Sequence, residues 1–228
     1  MMERLSLTLP GGTEAVLLAG RALLLPAART LVVADVHFGK AATFRARGVP
    51  VPQGTTADNL RRLDTLLDAS GAAMLVFLGD MFHAREAHAP DTLAALHAWR
   101  QRRAGLELVL VEGNHDRHAG APPPQLGIRV ESEPWDLGLL ALCHHPQRVA
   151  GRHVLAGHLH PCVRLYGNAG DSLRLPCYWI REALTLLPAF GAFTGGAPIV
   201  REAGDRVVAV AEERLFPLPA AATDRAAE

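Results

Sequence analysis

Five short apolar runs in this chain end in side chains able to ligate a metal or move a proton. Thr30-Leu31-Val32-Val33-Ala34 leads into Asp35-Val36-His37, and Met74-Leu75-Val76-Phe77-Leu78 into Gly79-Asp80. Leu108-Val109-Leu110-Val111 leads into Glu112-Gly113-Asn114-His115-Asp116. Leu139-Leu140-Ala141-Leu142-Cys143 leads into His144-His145, and Val154-Leu155-Ala156 into Gly157-His158-Leu159-His160. Taken singly, Gly-Asn-His-Asp has the composition of an ordinary polar turn. Five unrelated turns would rarely all draw on the same small set of ligand residues. In an open α/β sheet, sites form outside the carboxyl ends of the strands, so the pattern predicts one convergent site.

The donor set defines the chemistry. Asp35/His37 and His158/His160 are each spaced i, i+2, which in an extended segment points both side chains the same way. Carboxylate, imidazole and amide oxygen together suit a divalent ion such as Mn²⁺, Fe²⁺ or Zn²⁺. Asp35, His37, Asp80, Asn114, His144, His158 and His160 are too many for one tetrahedral site. Two metals sharing a carboxylate is the simplest count. Rival motifs fail: His83-Ala84-Arg85-Glu86-Ala87-His88 is not HExxH, the cysteines form no zinc knuckle, and there is no P-loop, GxSxG or dinucleotide fingerprint.

The elements that must position these groups follow from the spacing of apolar residues. The five runs read as strands. A helix is predicted over 55–69, with Leu60, Leu63, Leu66 and Leu67 on one face and Gly71 after its end. A second is predicted over 90–103, opened by Pro90-Asp91-Thr92 and carrying Leu93, Leu96 and Trp99 on one stripe. A loop with Arg45, Arg47, Pro50 and Pro52 follows the first ligand pair, and residues 5–25 read as a β-meander. The alternation from 30 to 111 argues for α/β with parallel or mixed pairing. From 126 onward the pattern is mostly β, as expected of a second sheet packed on the first. One domain is expected over 1–216, followed by a flexible tail over 217–228.

At 228 residues the chain suits one domain with a substantial core. Its 23 basic and 23 acidic residues cancel, so contact with nucleic acid would need a local patch rather than a global field. Lys40 is the only lysine; the arginine bias reads as genome composition. Three widely spaced cysteines, Cys143, Cys162 and Cys177, offer no disulfide framework and fit a reducing cytosol. No apolar run approaches membrane-spanning length, so a cytoplasmic protein without membrane association is expected.

In this order, Asp-x-His, Gly-Asp, Gly-Asn-His-Asp, a strand-ending His and Gly-His-x-His resemble the calcineurin-type metallophosphoesterase superfamily. Ala34–Lys40, Gly79–His83, Cys143–Pro146 and Leu187–Gly196 resemble, within it, the ligase-associated DNA damage response endonucleases (PdeM-like). The resemblance implies a four-layer αββα sandwich, two packed mixed sheets flanked by helices. It implies Asp35, His37, Asp80 and His160 around one metal, and Asp80, Asn114, His144 and His158 around the other. The family usually has His-Gly where this chain has His144-His145; His144 is taken as the ligand, with His145 behind it. The implied reaction is attack on phosphorus by a metal-activated hydroxide, with His115 beside the leaving group and Asp116 orienting its ring. His83, Arg45 and Arg47 are candidates for the substrate phosphates, and Arg100, Arg102 and Arg103 for a helix C-terminal role. Phe190–Gly196 reads as a tight strand turn. The expected function is a Mn²⁺-dependent phosphodiesterase, a DNA endonuclease linked to repair and to a ligase/helicase pathway. The rivals are a small-molecule phosphomonoesterase or nucleotide hydrolase on the same site, and a non-catalytic scaffold.

Overall fold

The computed structural model describes residues 2–51, 54–166, 171–192 and 194–220. The first sheet collects β1 (Arg4–Thr8), β2 (Glu14–Leu18), β3 (Ala22–Leu25), β4 (Thr30–Ala34), β5 (Met74–Leu78), β6 (Glu107–Val111) and β7 (Ile128–Glu131) in sequence order. Pairing is antiparallel from β1 to β4 and parallel from β4 to β7. Strands β4, β5 and β6 are apolar on both faces, as parallel strands covered on both sides must be. Ala34 pairs with Leu78 and Leu78 with Val111, so three of the ligand motifs leave the sheet at one level.

The second sheet contains β8 (Trp135–Leu137), β9 (Leu140–Leu142), β10 (His153–Ala156), β11 (Pro161–Tyr166), β12 (Ser172–Ile180), β13 (Leu184–Leu186) and β14 (Ala197–Pro198). Its order is β14-β11-β12-β13-β10-β9-β8, and β15 (Arg206–Ala211) and β16 (Arg214–Pro217) extend it from β12. Strand β10 runs parallel to both β9 and β13. The other two ligand motifs therefore also emerge side by side.

Four α-helices lie among the described residues: α1 (Lys40–Ala46), α2 (Thr55–Ser70), α3 (Pro90–Arg102) and α4 (Asn114–Ala119). Leu60, Leu63 and Leu66 of α2 and Leu96 and Trp99 of α3 pack on Leu31, Val33, Leu75, Phe77, Leu108 and Leu110. The alternate residues Val32, Ala34, Val76, Leu78, Val109 and Val111 face Leu140, Leu142, Leu155, Tyr178, Ile180 and Val208 of the second sheet. Each fully buried leucine contributes about 1.5–3 kcal/mol. The Tyr178 hydroxyl, fully buried, lies 2.7 Å from the Leu18 carbonyl and 2.8 Å from that of Ala22, bolting the sheets together. Two smaller clusters, around Cys143 and Cys177, close the outer face of the second sheet with loop and strand side chains.

Two mixed sheets with flanking helices are the architecture expected from the sequence. Helices α1 and α4 fall where only a loop and a strand end were read. Each is under eight residues, too short to display an apolar period. The arginines closing α3 serve structure: Arg100 donates to the Arg103 and Leu106 carbonyls, and Arg103 pairs with Asp64 and Asp68. Within the expected tail, Pro217 ends β16 and the Leu218 N–H donates to the Val207 carbonyl at 2.8 Å. Residues 221–228, like Pro52 and Phe193, lie outside the described residues.

Candidate metal centre

Backbone geometry sets the site apart before any side chain is considered. Eight non-glycine described residues have positive φ, and five of them are Asp35 (54°), His37 (49°), Asp80 (50°), His158 (68°) and His160 (47°). Left-handed backbone at a non-glycine residue costs on the order of 1–3 kcal/mol and clusters at functional sites. It turns each side chain sharply off its strand end toward a common point. The reading from an extended segment is corrected here: Asp35/His37 and His158/His160 converge through left-handed turns, not through strand alternation. Motif glycines make room for the ligands. A Cβ on Gly79 would lie 2.2 Å from His144 Nδ1, and one on Gly113 would lie 2.5 Å from Asp80 Oδ1.

The side chains form two donor groups. In one, His160 Nε2 lies 3.4 Å from Asp35 Oδ1, and His37 Nε2 lies 3.8 Å from Asp80 Oδ2. Both Nε2 atoms are buried without a hydrogen-bond partner among the described residues, a costly arrangement unless something binds there. In the other, His144 Nε2 lies 2.9 Å from Asn114 Oδ1, 3.0 Å from His158 Nδ1 and 3.4 Å from Asp80 Oδ1. His144 Nδ1 is 3.1 Å from the Leu78 carbonyl. That carbonyl can only accept, so it assigns the proton to Nδ1 and leaves a lone pair at Nε2. This lone pair meets the lone pairs of Asn114 and Asp80. Such convergence is repulsive without a cation between them. Asp80 offers one carboxylate oxygen to each group.

The electrostatics agree with neutral, ligating imidazoles. Burial, reinforced by Lys40 and neighbouring imidazoles, holds His37 far below its ordinary value. Burial likewise lowers His158, helped by His144 and His145. The Asp35 carboxylate is held by the His158 N–H, which donates at 2.9 Å to Oδ2. The His115 N–H donates to Asp80 Oδ1 at 2.9 Å.

His83, His115 and His37 make a third imidazole group. His83 stacks on His115 with ring centroids 5.0 Å apart and is pushed down to about 4, by burial first and then by Lys40. His115 Nδ1 sits 2.8 Å from the His83 carbonyl, which orients the ring. Asp116 does not perform that task. Its oxygens accept the N–H groups of Phe82 (3.1 Å) and Gly113 (3.0 Å), tying two motif loops together. Burial pushes its carboxyl up to about 6. His145 Nδ1 lies 2.6 Å from Glu133, and its ring centroid lies 4.5 Å from that of His158, so His144, His145 and His158 also form a group able to hold a metal. Arg47 pairs with Glu86 at 3.8 Å, and Arg45 stands exposed in the last turn of α1.

Three contributors were not legible beforehand. Glu133 accepts the backbone N–H groups of both His144 and His145 at 2.8 Å. Lys40, half-buried, has no ion pair among the described residues and lies within electrostatic range of Asp35 and Asp80. Phe190 and Gly191 back the first motif: their N–H groups donate to the carbonyls of Ala34 (2.8 Å) and Asp35 (3.1 Å).

A family model described as calcineurin-like phosphoesterase matches residues 28–158. No curated protein matches the chain. Among solved structures the chain is similar to a nuclease, MPE, of Pseudomonas putida. The two are 44% identical over 95% of this chain and 100% of that one, with a TM-score of 0.84. It is also similar, at 17% identity, to Yfce, a phosphoesterase from E. coli, over 82% of this chain and 90% of that one. The TM-score there is 0.38.

Proposed function

The chain belongs to the calcineurin-like phosphoesterase family and is a metal-dependent phosphoric ester hydrolase; from that premise we propose a binuclear phosphodiesterase that acts on DNA as an endonuclease. One observation carries the binuclear reading. Asp80 places one oxygen in each donor group, facing a His144 Nε2 that carries a lone pair and a buried His37 Nε2 without a hydrogen-bond partner among the described residues. Asp35, His37, Asp80 and His160 would hold one ion, and Asp80, Asn114, His144 and His158 the other. Oxygen and imidazole donors without thiolate favour Mn²⁺, with Fe²⁺ or Zn²⁺ as substitutes. When bound, such a pair supplies a nucleophilic water at neutral pH and offsets charge on the phosphoryl oxygens.

The remaining roles belong to the protein's own groups. With the His115 Nδ1–H directed at the His83 carbonyl, Nε2 is the nitrogen turned to the leaving oxygen, and it passes a proton there once the ring has been protonated to imidazolium. His115 is the partly open member of the cluster, its side chain 39% exposed while Asp80 is 3%. His83 holds that ring from one side and faces the substrate. Lys40 supplies a positive charge for a phosphoryl oxygen, a role better suited to it than to Arg47, whose partner is Glu86. Glu133 fixes the turn that presents His144.

The nuclease likeness over the whole chain supports a nucleic-acid substrate. The same resemblance supports a place in DNA repair beside a ligase or helicase. Three buried free cysteines support a cytoplasmic setting, and no described helix is long and apolar enough to cross a membrane. A single domain over 1–216 would contain all of these groups. The test assays purified protein with Mn²⁺, Zn²⁺ and Mg²⁺ against an aryl phosphodiester, an aryl phosphomonoester and plasmid DNA. Mn²⁺-dependent cleavage of diester and plasmid is expected. A fast monoester rate with intact plasmid would replace this reading by a small-molecule phosphatase or nucleotide hydrolase.

A further inference from the structure

The antiparallel pair β11–β12 begins at the metal centre and outruns the sheet. Strand β13 is parallel to β10, β12 is antiparallel to β13, and β11 is antiparallel to β12. Strand β11 therefore runs in the same sense as β10. Strand β10 ends at the Gly157–His160 motif; β11 starts next to His160 and continues past it. At about 3.3 Å per residue, Arg164 stands about 13 Å beyond that histidine along the strand. The last three residues of β11 and the first three of β12 are all exposed. The pair projects past the carboxyl ends of the strands that carry the His144 and His158 motifs.

Its register separates two faces. Val163 pairs with Leu175 and Leu165 with Leu173, which puts apolar groups on one side. Cys162 pairs with Pro176, Arg164 with Arg174 and Tyr166 with Ser172 on the other. Two arginines directly opposite each other repel. Several other arginines are matched by carboxylates: Arg103 by Asp64 and Asp68, Arg129 by Glu107, Arg181 by Asp205. Arg164 and Arg174 have no ion pair or hydrogen bond among the described residues, and Asp171 pairs with neither. Both act electrostatically on the buried Cys162 thiol. A Cβ on Gly196 would lie 3.0 Å from Cys162 Cβ and 3.1 Å from the His160 carbonyl, so this face joins the catalytic loop. Tyr166, on the same face, is 75% exposed.

We propose that the basic face of β11–β12 is the arm that grips a nucleic-acid strand to one side of the scissile phosphate. Arg164 and Arg174 take backbone phosphates, relieving their mutual repulsion, and Tyr166 stacks on a base. At about 3.4 Å per nucleotide along a duplex strand, the arm meets the substrate roughly three to four nucleotides from the cut. A mononucleotide-sized ester does not reach it. In a chain of zero net charge, this local patch gives the polymer its hold. The inference rests on the nuclease reading and narrows it to a polymeric substrate.

The test compares wild type with R164A/R174A and with Y166A, using a 30-nucleotide DNA and an aryl phosphodiester at several salt concentrations. For R164A/R174A, kcat/KM on DNA is expected to fall at least tenfold, carried by KM, and at least fivefold more than on the ester. The slope of log KM against log salt should shrink by about 2, one per lost phosphate contact. Y166A should lose a further few-fold on DNA, and R164K/R174K should restore most of the arginine effect. Equal losses on both substrates, or none on DNA, overturn the proposal. So does a change of sedimentation from dimer to monomer without a selective DNA defect, which would make the arm a contact between copies. Wild-type protein that hydrolyses the ester but neither binds nor cleaves DNA overturns the nuclease reading itself, and the arm with it.

Discussion

Two regions of the molecule gather polar and charged groups, and they are built in opposite ways. A cavity of about 1260 Å³ beside the second sheet is lined by Arg148, Arg152, Arg181, Glu202, Asp205 and Arg206, among others. The charges around Asp205 are matched, while His153 Nδ1 in the lining is buried without a partner among the described residues. Arg181 pairs with Asp205 at 3.2 Å and also with Glu202, while Asp205 accepts from Trp179 Nε1 (2.7 Å) and the Glu202 N–H (2.9 Å). Among its lining residues, left-handed backbone falls only on glycines: Gly11, Gly151 and Gly204. The metal centre places left-handed turns on aspartates and histidines and leaves buried nitrogens unpartnered. Satisfied polar networks hold structure together; strained, unsatisfied ones are retained for chemistry.

The largest effect should separate the two regions by both activity and stability. Asp80→Ala is expected to lower kcat for the diester by at least about 10³-fold, since positioning and electrostatics of both ions go with it. The melting temperature of its metal-free form should change little, because relief of the crowded lone pairs is offset by the acceptor lost to the His115 N–H. His115→Ala should lower kcat by about 10²–10⁴-fold, the range for a lost acid–base group, with metal content unchanged by elemental analysis. Lys40→Ala should cost up to about 10²-fold on the diester, while Arg47→Ala, removing a surface pair with Glu86, should stay within about twofold.

The cavity should answer in the opposite manner. Asp205→Ala leaves donors on Trp179, Arg181 and Glu202 unmatched and should cost about 1–3 kcal/mol of stability, read by urea denaturation. Its diester rate should stay within about twofold of wild type, a change too small to count as a catalytic effect. An equal loss of activity would blur the distinction between the regions.

The smallest effect is one of pH. In metal-free protein, burial keeps His37, His83 and His158 below the ordinary imidazole value, about 4 for His83. The unfolded chain takes up protons that the folded state resists. Stability is therefore full above about pH 6.5 and is lost as pH falls toward the folded values. With His83 half exposed and screened, the loss is about 1 kcal/mol, or about 2–4 °C in Tm. Asp116, raised to about 6, has the opposite sign: its contribution is present at low pH and lost as pH rises through 6. The acid-side loss should therefore steepen in Asp116→Asn.

Much of the site was legible in the sequence because central parallel strands are continuous apolar runs. Their abrupt ends in Asp35, Asp80 and Asn114 mark the carboxyl edge of the sheet. The order of motifs did the rest, while the choice between His144 and His145 is not made by their position after the strand, since both lie with His158 in one group. What escaped notice depends on contacts distant in sequence. Glu133 reaches His144 across a strand pair, and Lys40 matters because α1 carries it beside carboxylates. Asp116 was assigned to its neighbour His115, yet it braces Phe82 instead. Residues 161–166 read as more of a β-rich half; only the register shows that the β11–β12 pair runs past β13 and β10.

The central claim is a carboxylate shared between two cations. Mn²⁺ titration of the wild-type protein, followed by equilibrium dialysis and electron paramagnetic resonance, tests it most directly. Two ions per chain with an exchange-coupled signal, reduced to one uncoupled ion or none in Asp80→Ala, is the expected result. Saturation at one ion, or two that show no coupling, would contradict it.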